Sequence, residues 1–248
     1  MKVTPCSACP LRALPLFTAH TNAELAFIQS IKRDQIAVPA ERDIIQEGQA
    51  DAPLFTLLSG WAFRYKTLSD GRRQILNFLL PGDFIGVQQK MGDSAAHGVQ
   101  ALTDTVLCVF KRDALWQLHR SEPGLGFDIT WLTAHEESLV DDTLLSVGRR
   151  SAEERIATML ILLFKRAAAM LPACGAGGAD GVPFPLTQQH IADGLGLSRV
   201  HANKTLRKLE VRGLHRIENG RLYLQDIKAL ARLADLYGDG RPAPRPLI

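Results

Sequence analysis

PLTQQHIADGLGLSRVHANKTLRKLE, residues Pro185–Glu210, reads as two short helices around a tight turn. Thr187 is a good N-cap for the first helix, and Ile191, Ala192 and Leu195 give it an inward face. Gly194-Leu195-Gly196 supplies the turn, where a Cβ would be strained or would crowd the next helix. Ser198 caps the second helix, and Ala202, Leu206 and Leu209 recur at helical spacing on its inner side. Arg199, Val200, His201, Asn203, Lys204, Arg207 and Lys208 are left for the outer face. This is the pattern of a helix-turn-helix, whose second helix enters the DNA major groove and reads bases from its first turns. Thr187 and Gln188, at the start of the first helix, fall on the same side.

The next residues extend the motif. Leu214–Leu224 contains two short alternating runs flanking Asn219-Gly220, the strongest short-range signal for a hairpin. Helix-turn-helix plus hairpin predicts a winged helix, with Arg216 and Arg221 on the wing where they would meet phosphate. The bland alternative, a helical hairpin with a basic solvated face, does not explain the wing.

The rest of the chain bounds the class. Its 248 residues are 46% hydrophobic and 22% charged, a soluble globular profile with room for two cores. The net charge of +3 is too small for a global field, so affinity for nucleic acid must come from local patches. No apolar run reaches membrane-spanning length and no secretory leader is evident, which predicts a cytoplasmic protein with no membrane partner. Cys6, Cys9, Cys108 and Cys174 are then expected reduced, metal-bound or redox-active instead of paired in structural disulfides. No nucleophile–base pair, phosphate loop, dinucleotide fingerprint or carboxylate dyad stands out, so no enzymatic chemistry is assigned.

The expected class is α+β. A Cys-containing arm spans 1–15 and an antiparallel, jelly-roll-like β-roll sensor domain spans 16–124. A dimerisation helix over 125–148, broken at Gly148, is followed by the winged helix over 149–238 and a disordered tail over 239–248. Within the first part, Asn22–Ile31 reads as helix. Asp43–Gln46, Leu54–Leu58, Ala62–Leu68, Arg73–Leu80 and Thr105–Phe110 read as strands. Ser151-Ala-Glu-Glu154 is a capping box opening another helix. On the long helix, Thr133, Glu137, Val140, Leu144 and Val147 follow the 4,3,4,3 spacing of a coiled-coil seam, which implies a homodimer. Leu132, Leu139 and Leu145 form a second stripe expected to pack on the protomer itself.

Asp43-Ile-Ile-Gln-Glu-Gly48, Leu54-Phe-Thr-Leu-Leu-Ser-Gly60, Leu79-Leu-Pro-Gly-Asp-Phe-Ile-Gly86, Ala152-Glu-Glu-Arg155 and Leu186-Thr-Gln-Gln-His-Ile-Ala192, taken together, resemble the Crp/Fnr family of bacterial transcription regulators. The resemblance runs from about Leu16 to Leu236. It implies a β-roll sensor, a dimer along the long helix, a two-fold operator in double-stranded DNA and, for an activator, contact with RNA polymerase, for which Ser69–Arg73 is a candidate surface. Cyclic-nucleotide-binding members carry a Glu after the glycine corresponding to Gly86, then an Arg. Here Val87 follows, and Gly92–Gln100 has no Arg, which argues against a cyclic nucleotide; His97 or Lys90 would have to replace that cation.

Cys6, Cys9 and Cys108 fall where three of the four cluster ligands stand in the oxygen-sensing branch. The fourth is absent, with Pro15 about where it would be. An iron–sulfur cluster, a dithiol switch, zinc and plain structural thiols all remain open at this point, and so does a small organic effector in the β-roll. Family members place Ser-Arg-Glu at the start of the recognition helix and a later Arg. Arg199 matches the first reader, Lys204 replaces the later Arg, and Val200 replaces the Glu, so it can only touch a thymine methyl. A regulator that needs no effector and a β-roll scaffold that does not act on DNA are the rival functions.

Overall fold

The computed structural model describes residues 3–87, 94–171, 180–236 and 244–248. The expected linker (172–181), apart from Asp180 and Gly181, lies outside them, as do Cys174 and Lys90. Two compact units emerge, one of Met1–Lys66, Phe78–Leu139 and Pro242–Ile248, the other of Thr67–Asn77 and Val140–Arg241.

In the first unit, two 3-10 turns (Cys6–Ala8 and Pro10–Ala13) and α1 (Asn22–Ile31) precede the strands. These are β1 (Lys32–Val38), β2 (Asp43–Ile45), β3 (Leu54–Ser59), β4 (Ala62–Thr67), β5 (Arg73–Leu79), β6 (Phe84–Ile85), β7 (Gly98–Ala101) and β8 (Thr105–Phe110). They form two four-stranded sheets ordered β1-β8-β3-β6 and β2-β7-β4-β5. The nearly unbroken apolar runs of β3 and β8 follow from burial on both faces, which removes the need for alternation. Phe55, Leu57, Leu107 and Val109 point to the core between the sheets. Leu54, Cys108 and Phe110 point the other way, into a second core built with Ile28, Ile31, Leu118, Leu125, Ile129 and Leu132. The period of two thus sends Cys108 to the same core as Cys6. Gly60, at φ +87°, has no room for a Cβ, which would strike the Asp104 carbonyl.

Helices α2 (Ala114–Ser121) and α3 (Pro123–Arg149) follow. Gly148, expected to break α3, stands one residue before its end at Arg149, so the helix stops where expected. A Cβ there would meet nothing, and one exposed glycine costs a helix only about 1 kcal/mol. Of the inner stripe, Leu132 is buried but Leu145 is exposed and does not pack on the protomer.

The second unit holds α4 (Ala152–Ala169), β9 (Val182–Pro183), α5 (Gln188–Leu195), α6 (Arg199–Val211), β10 (His215–Glu218), β11 (Arg221–Leu224) and α7 (Ile227–Leu233). The Ser151–Glu154 capping box forms, with both reciprocal hydrogen bonds. Asn219 (φ 51°) and Gly220 (φ 69°) both take the left-handed conformation that a two-residue hairpin turn demands. The wing is a three-stranded sheet ordered β10-β11-β9.

The tail expected to be disordered over 239–248 is corrected at its end. Arg245 is buried against Asp83, and Leu247 and Ile248 are buried in the first unit. Its Pro- and Arg-rich composition gave no hint of these long-range partners.

Candidate DNA interface and sensor pocket

The helix-turn-helix is assembled by caps. Thr187 accepts from the His190 N–H, and Ser198 accepts from the His201 N–H. Gly196 closes α5 in the left-handed conformation at φ 63°. Arg155 then fixes the pair of helices to the rest of the unit. Its Nη1 donates to the Leu195 carbonyl at 2.9 Å and its Nε to the Arg150 carbonyl at 2.8 Å. Both acceptors lie at helix C-terminal ends, where carbonyls lack partners and the dipole favours a cation, so one guanidinium serves two helices. The motif residue Arg155 is therefore a structural clamp that sequence reading placed in a motif but gave no role.

The outer face of α6 carries exposed Arg199, Val200, His201, Asn203, Lys204 and Arg207, while Ala202, Thr205, Leu206 and Leu209 are buried. Lys208 and Arg212 instead both engage Glu153 of α4, the Arg212 contact at 2.8 Å. Lys208 hydrogen-bonding is the largest influence holding the Glu153 carboxyl below its usual range. Gln188 donates to Asn203 Oδ1 at 2.9 Å, which leaves Asn203 presenting its N–H donors. On the wing, Arg216 lies over the Tyr223 ring, 4.5 Å from its centroid, and 3.5 Å from Glu218. Arg221 is committed to main chain, donating to the Asp180 and Gly181 carbonyls. Arg73, at the end of the Ser69–Arg73 loop, pairs with Asp193 at 3.1 Å.

In the first unit, Cys6, Cys9 and Cys108 line one cavity together with Thr4, Arg12, Lys32 and Thr56. Burial pushes the Cys6 and Cys108 thiols up, with Lys32 pulling each of them back. Deeper in the unit, Arg64 of β4 meets Glu136 of α3 at 2.8 Å, a buried ion pair that no local pattern announces. Glu137, Thr133 and Leu144 are exposed, and Val140 and Val147 are half-buried.

Residues 35–122 match the cyclic nucleotide-binding domain model, and 154–233 match the Crp-like helix-turn-helix domain model. The chain is 32% identical over 231 residues to the nitrogen fixation regulation protein FixK of Bradyrhizobium diazoefficiens, covering 92% of this chain and 93% of the relative. The chain belongs to the Crp/Fnr family of transcription regulators. It is 28% identical to the transcriptional activator protein FnrL of Cereibacter sphaeroides, over 98% of this chain and 95% of that one. The solved structure of FixK2 from Bradyrhizobium japonicum superposes with a TM-score of 0.71 at 27% identity, covering 81% of this chain and 96% of that one. As a Crp/Fnr member the protein is a transcription regulator and not an enzyme. No helix among the described residues is long and apolar enough to cross a membrane.

The two cofactor chemistries of the family can be tested against these side chains. His97, the one described candidate to replace the missing phosphate-binding Arg, is pushed down to about 4 by burial, with Arg64 and Lys66 adding repulsion. It is neutral at pH 7 and supplies no cation. The thiol pocket does not fit a four-iron cluster as folded. It offers three thiols where four thiolates are needed, and no imidazole or carboxylate side chain lines it. Among the described residues no three His, Cys, Asp or Glu side chains converge to hold a metal ion.

His97 also makes stability depend on pH. The unfolded chain takes up its proton near 6.5, the folded one near 4, so the unfolded state holds more protons between them. Stability therefore falls as pH drops from about 6.5 to about 4. At pH 4.5 the His97 contribution to this loss is about 2–3 kcal/mol. Urea unfolding of the parent and of His97→Gln, each at pH 7 and pH 4.5, should show the parent losing that much more. Equal losses would contradict it.

Proposed function

We propose that the protein is a homodimer that binds a two-fold operator, with α6 of each copy in the major groove and the seam of Thr133, Glu137, Val140, Leu144 and Val147 holding the copies together. It acts in the cytoplasm and takes its regulatory signal through the β-roll. The observation that carries this reading is the split among the cations of α6 and its C-cap. Among the described residues Arg199, Lys204 and Arg207 make no ion pair, whereas Lys208 and Arg212 are neutralised by Glu153. Unpaired cations gathered on one exposed helix face suit a polyanion.

In this reading Arg199 reads guanine, Val200 packs on a thymine methyl, and Lys204 meets phosphate or a base acceptor as a point charge. Asn203, its oxygen engaged by Gln188, donates to an acceptor instead of pairing with adenine bidentately. Thr187 and Gln188 at the start of α5, together with Ser198 and His201, border the groove. Arg216 touches phosphate; Arg221 shapes the wing through its main-chain bonds. RNA polymerase is the further partner if the protein activates.

Arg199→Ala should weaken binding to a selected operator by about 1–3 kcal/mol and relax the preference at one base pair per half-site. Competition binding on operators varied at each position checks it. An equal loss on every sequence would make Arg199 a phosphate contact and overturn its assignment as a reader.

A further inference from the structure

The thiol pocket has an occupant, and the chain supplies it. Leu247 and Ile248 form part of the cavity wall. The segment 244–248 is anchored at several points. Arg245 Nη1 meets Asp83 Oδ1 at 2.6 Å, with both side chains buried, and Nη2 donates to the Pro81 carbonyl. The Arg245 main chain bonds in both directions with the residues just after the arm, to the Leu16 carbonyl and from the Thr18 N–H. Arg12 donates to the Leu247 carbonyl at 3.0 Å, and Thr56 Oγ1 to the Ile248 main-chain oxygen at 2.6 Å. Thr56 is the cross-strand partner of Cys108, so the segment ends beside that thiol. Gly82 is left without a side chain where Phe17 and Arg245 meet, since a Cβ there would strike both.

What remains of the cavity is about 20 Å³. That volume holds one water and nothing larger. A cluster, or an adduct on the buried Cys6 or Cys108, therefore needs the space that Leu247 and Ile248 fill.

We propose that residues 244–248 are a strap, that strap docking and occupation of the thiol pocket exclude one another, and that the exchange is relayed to the DNA-binding unit. The relay is covalent. Seven residues, 237–243, join Leu236 just after α7 to the strap. Docking therefore ties the chain that follows α7 to the first unit, and undocking releases it. The exclusion stands independently of the functional reading; the relay rests on it.

The test uses the full chain carrying Cys174→Ser, so that reaction is confined to the other thiols, with N-ethylmaleimide as the probe. The thiol adds across its double bond, its proton passes to the ring carbon, and nothing leaves. Alkylation should abolish amide-exchange protection at Thr18 and Arg245. Arg245→Ala, which frees the strap, should speed alkylation of Cys6 and Cys108 about tenfold; Ile248→Ala, which trims the plug without touching the ion pair, should speed it less. Retained protection in fully alkylated protein, or unchanged alkylation rates in both variants, would overturn the strap. On a duplex selected from a random-sequence library, alkylation and Arg245→Ala should shift affinity in the same direction and not add. Unchanged affinity in both would overturn the relay. Failure of the parent to select any duplex would instead overturn the DNA reading, while the exchange data still judge the strap.

Discussion

Replacing Glu136 with alanine should lower the stability of the protein by about 3–5 kcal/mol, because it strands the Arg64 guanidinium in the interior. The two side chains are 5% and 9% exposed, and they meet at 2.8 Å. Burial already pulls the Arg64 guanidinium below its usual value, with Glu136 and Asp83 opposing. Without the Glu136 carboxylate the larger of the two opposing influences is gone. Removing both charges together, as Arg64→Met with Glu136→Leu, should recover most of the loss, since an apolar pair of similar volume is often neutral or better. Urea midpoints of the three proteins check this. A loss below about 1 kcal/mol for Glu136→Ala would mean that water or another acidic group reaches Arg64 on relaxation.

The second large effect is expected at the seam. Leu144 is 69% exposed on α3, so in a single chain Leu144→Glu should change folding stability by no more than about 0.5 kcal/mol. In a two-fold dimer the same position meets its own copy, near Glu137, and two more negative charges enter an apolar contact. Sedimentation should then find monomer at micromolar concentration. Operator affinity should drop on the order of 10²–10⁴-fold, the advantage that joining two half-site contacts confers. A variant that stays dimeric with full affinity would move the interface elsewhere on the molecule, the exposed Phe127 being the next place to look.

The parts of this molecule that could be read directly are those whose physics is local. The Thr187, Ser198 and Ser151 caps, the Asn219-Gly220 turn and the helical spacing of α6 are decided within a few residues of one another, and they form as expected. Five strands were likewise legible from apolar runs between turn residues. What escaped depends on partners far along the chain. β1, β6, β7 and β9 are short or polar, and only their neighbours in the sheet make them strands. Arg155 and Glu136 are ordinary surface-type residues until the carbonyls and the guanidinium they meet are known. The strap misleads most, since Pro and Arg suggest a solvated tail, while Arg245 finds Asp83 across 162 positions. At the candidate interface, sequence reading named the face of α6 but could not separate its free cations from those that Glu153 neutralises.

The decisive experiment presents the purified 248-residue protein with a random-sequence duplex library and sequences what it retains, with the stoichiometry of the complex measured on the enriched sequence. Two copies on a two-fold site, with half-site centres about one helical turn, 10–10.5 base pairs, apart, is the result expected. No enrichment, or a single asymmetric site bound by one copy, would contradict it.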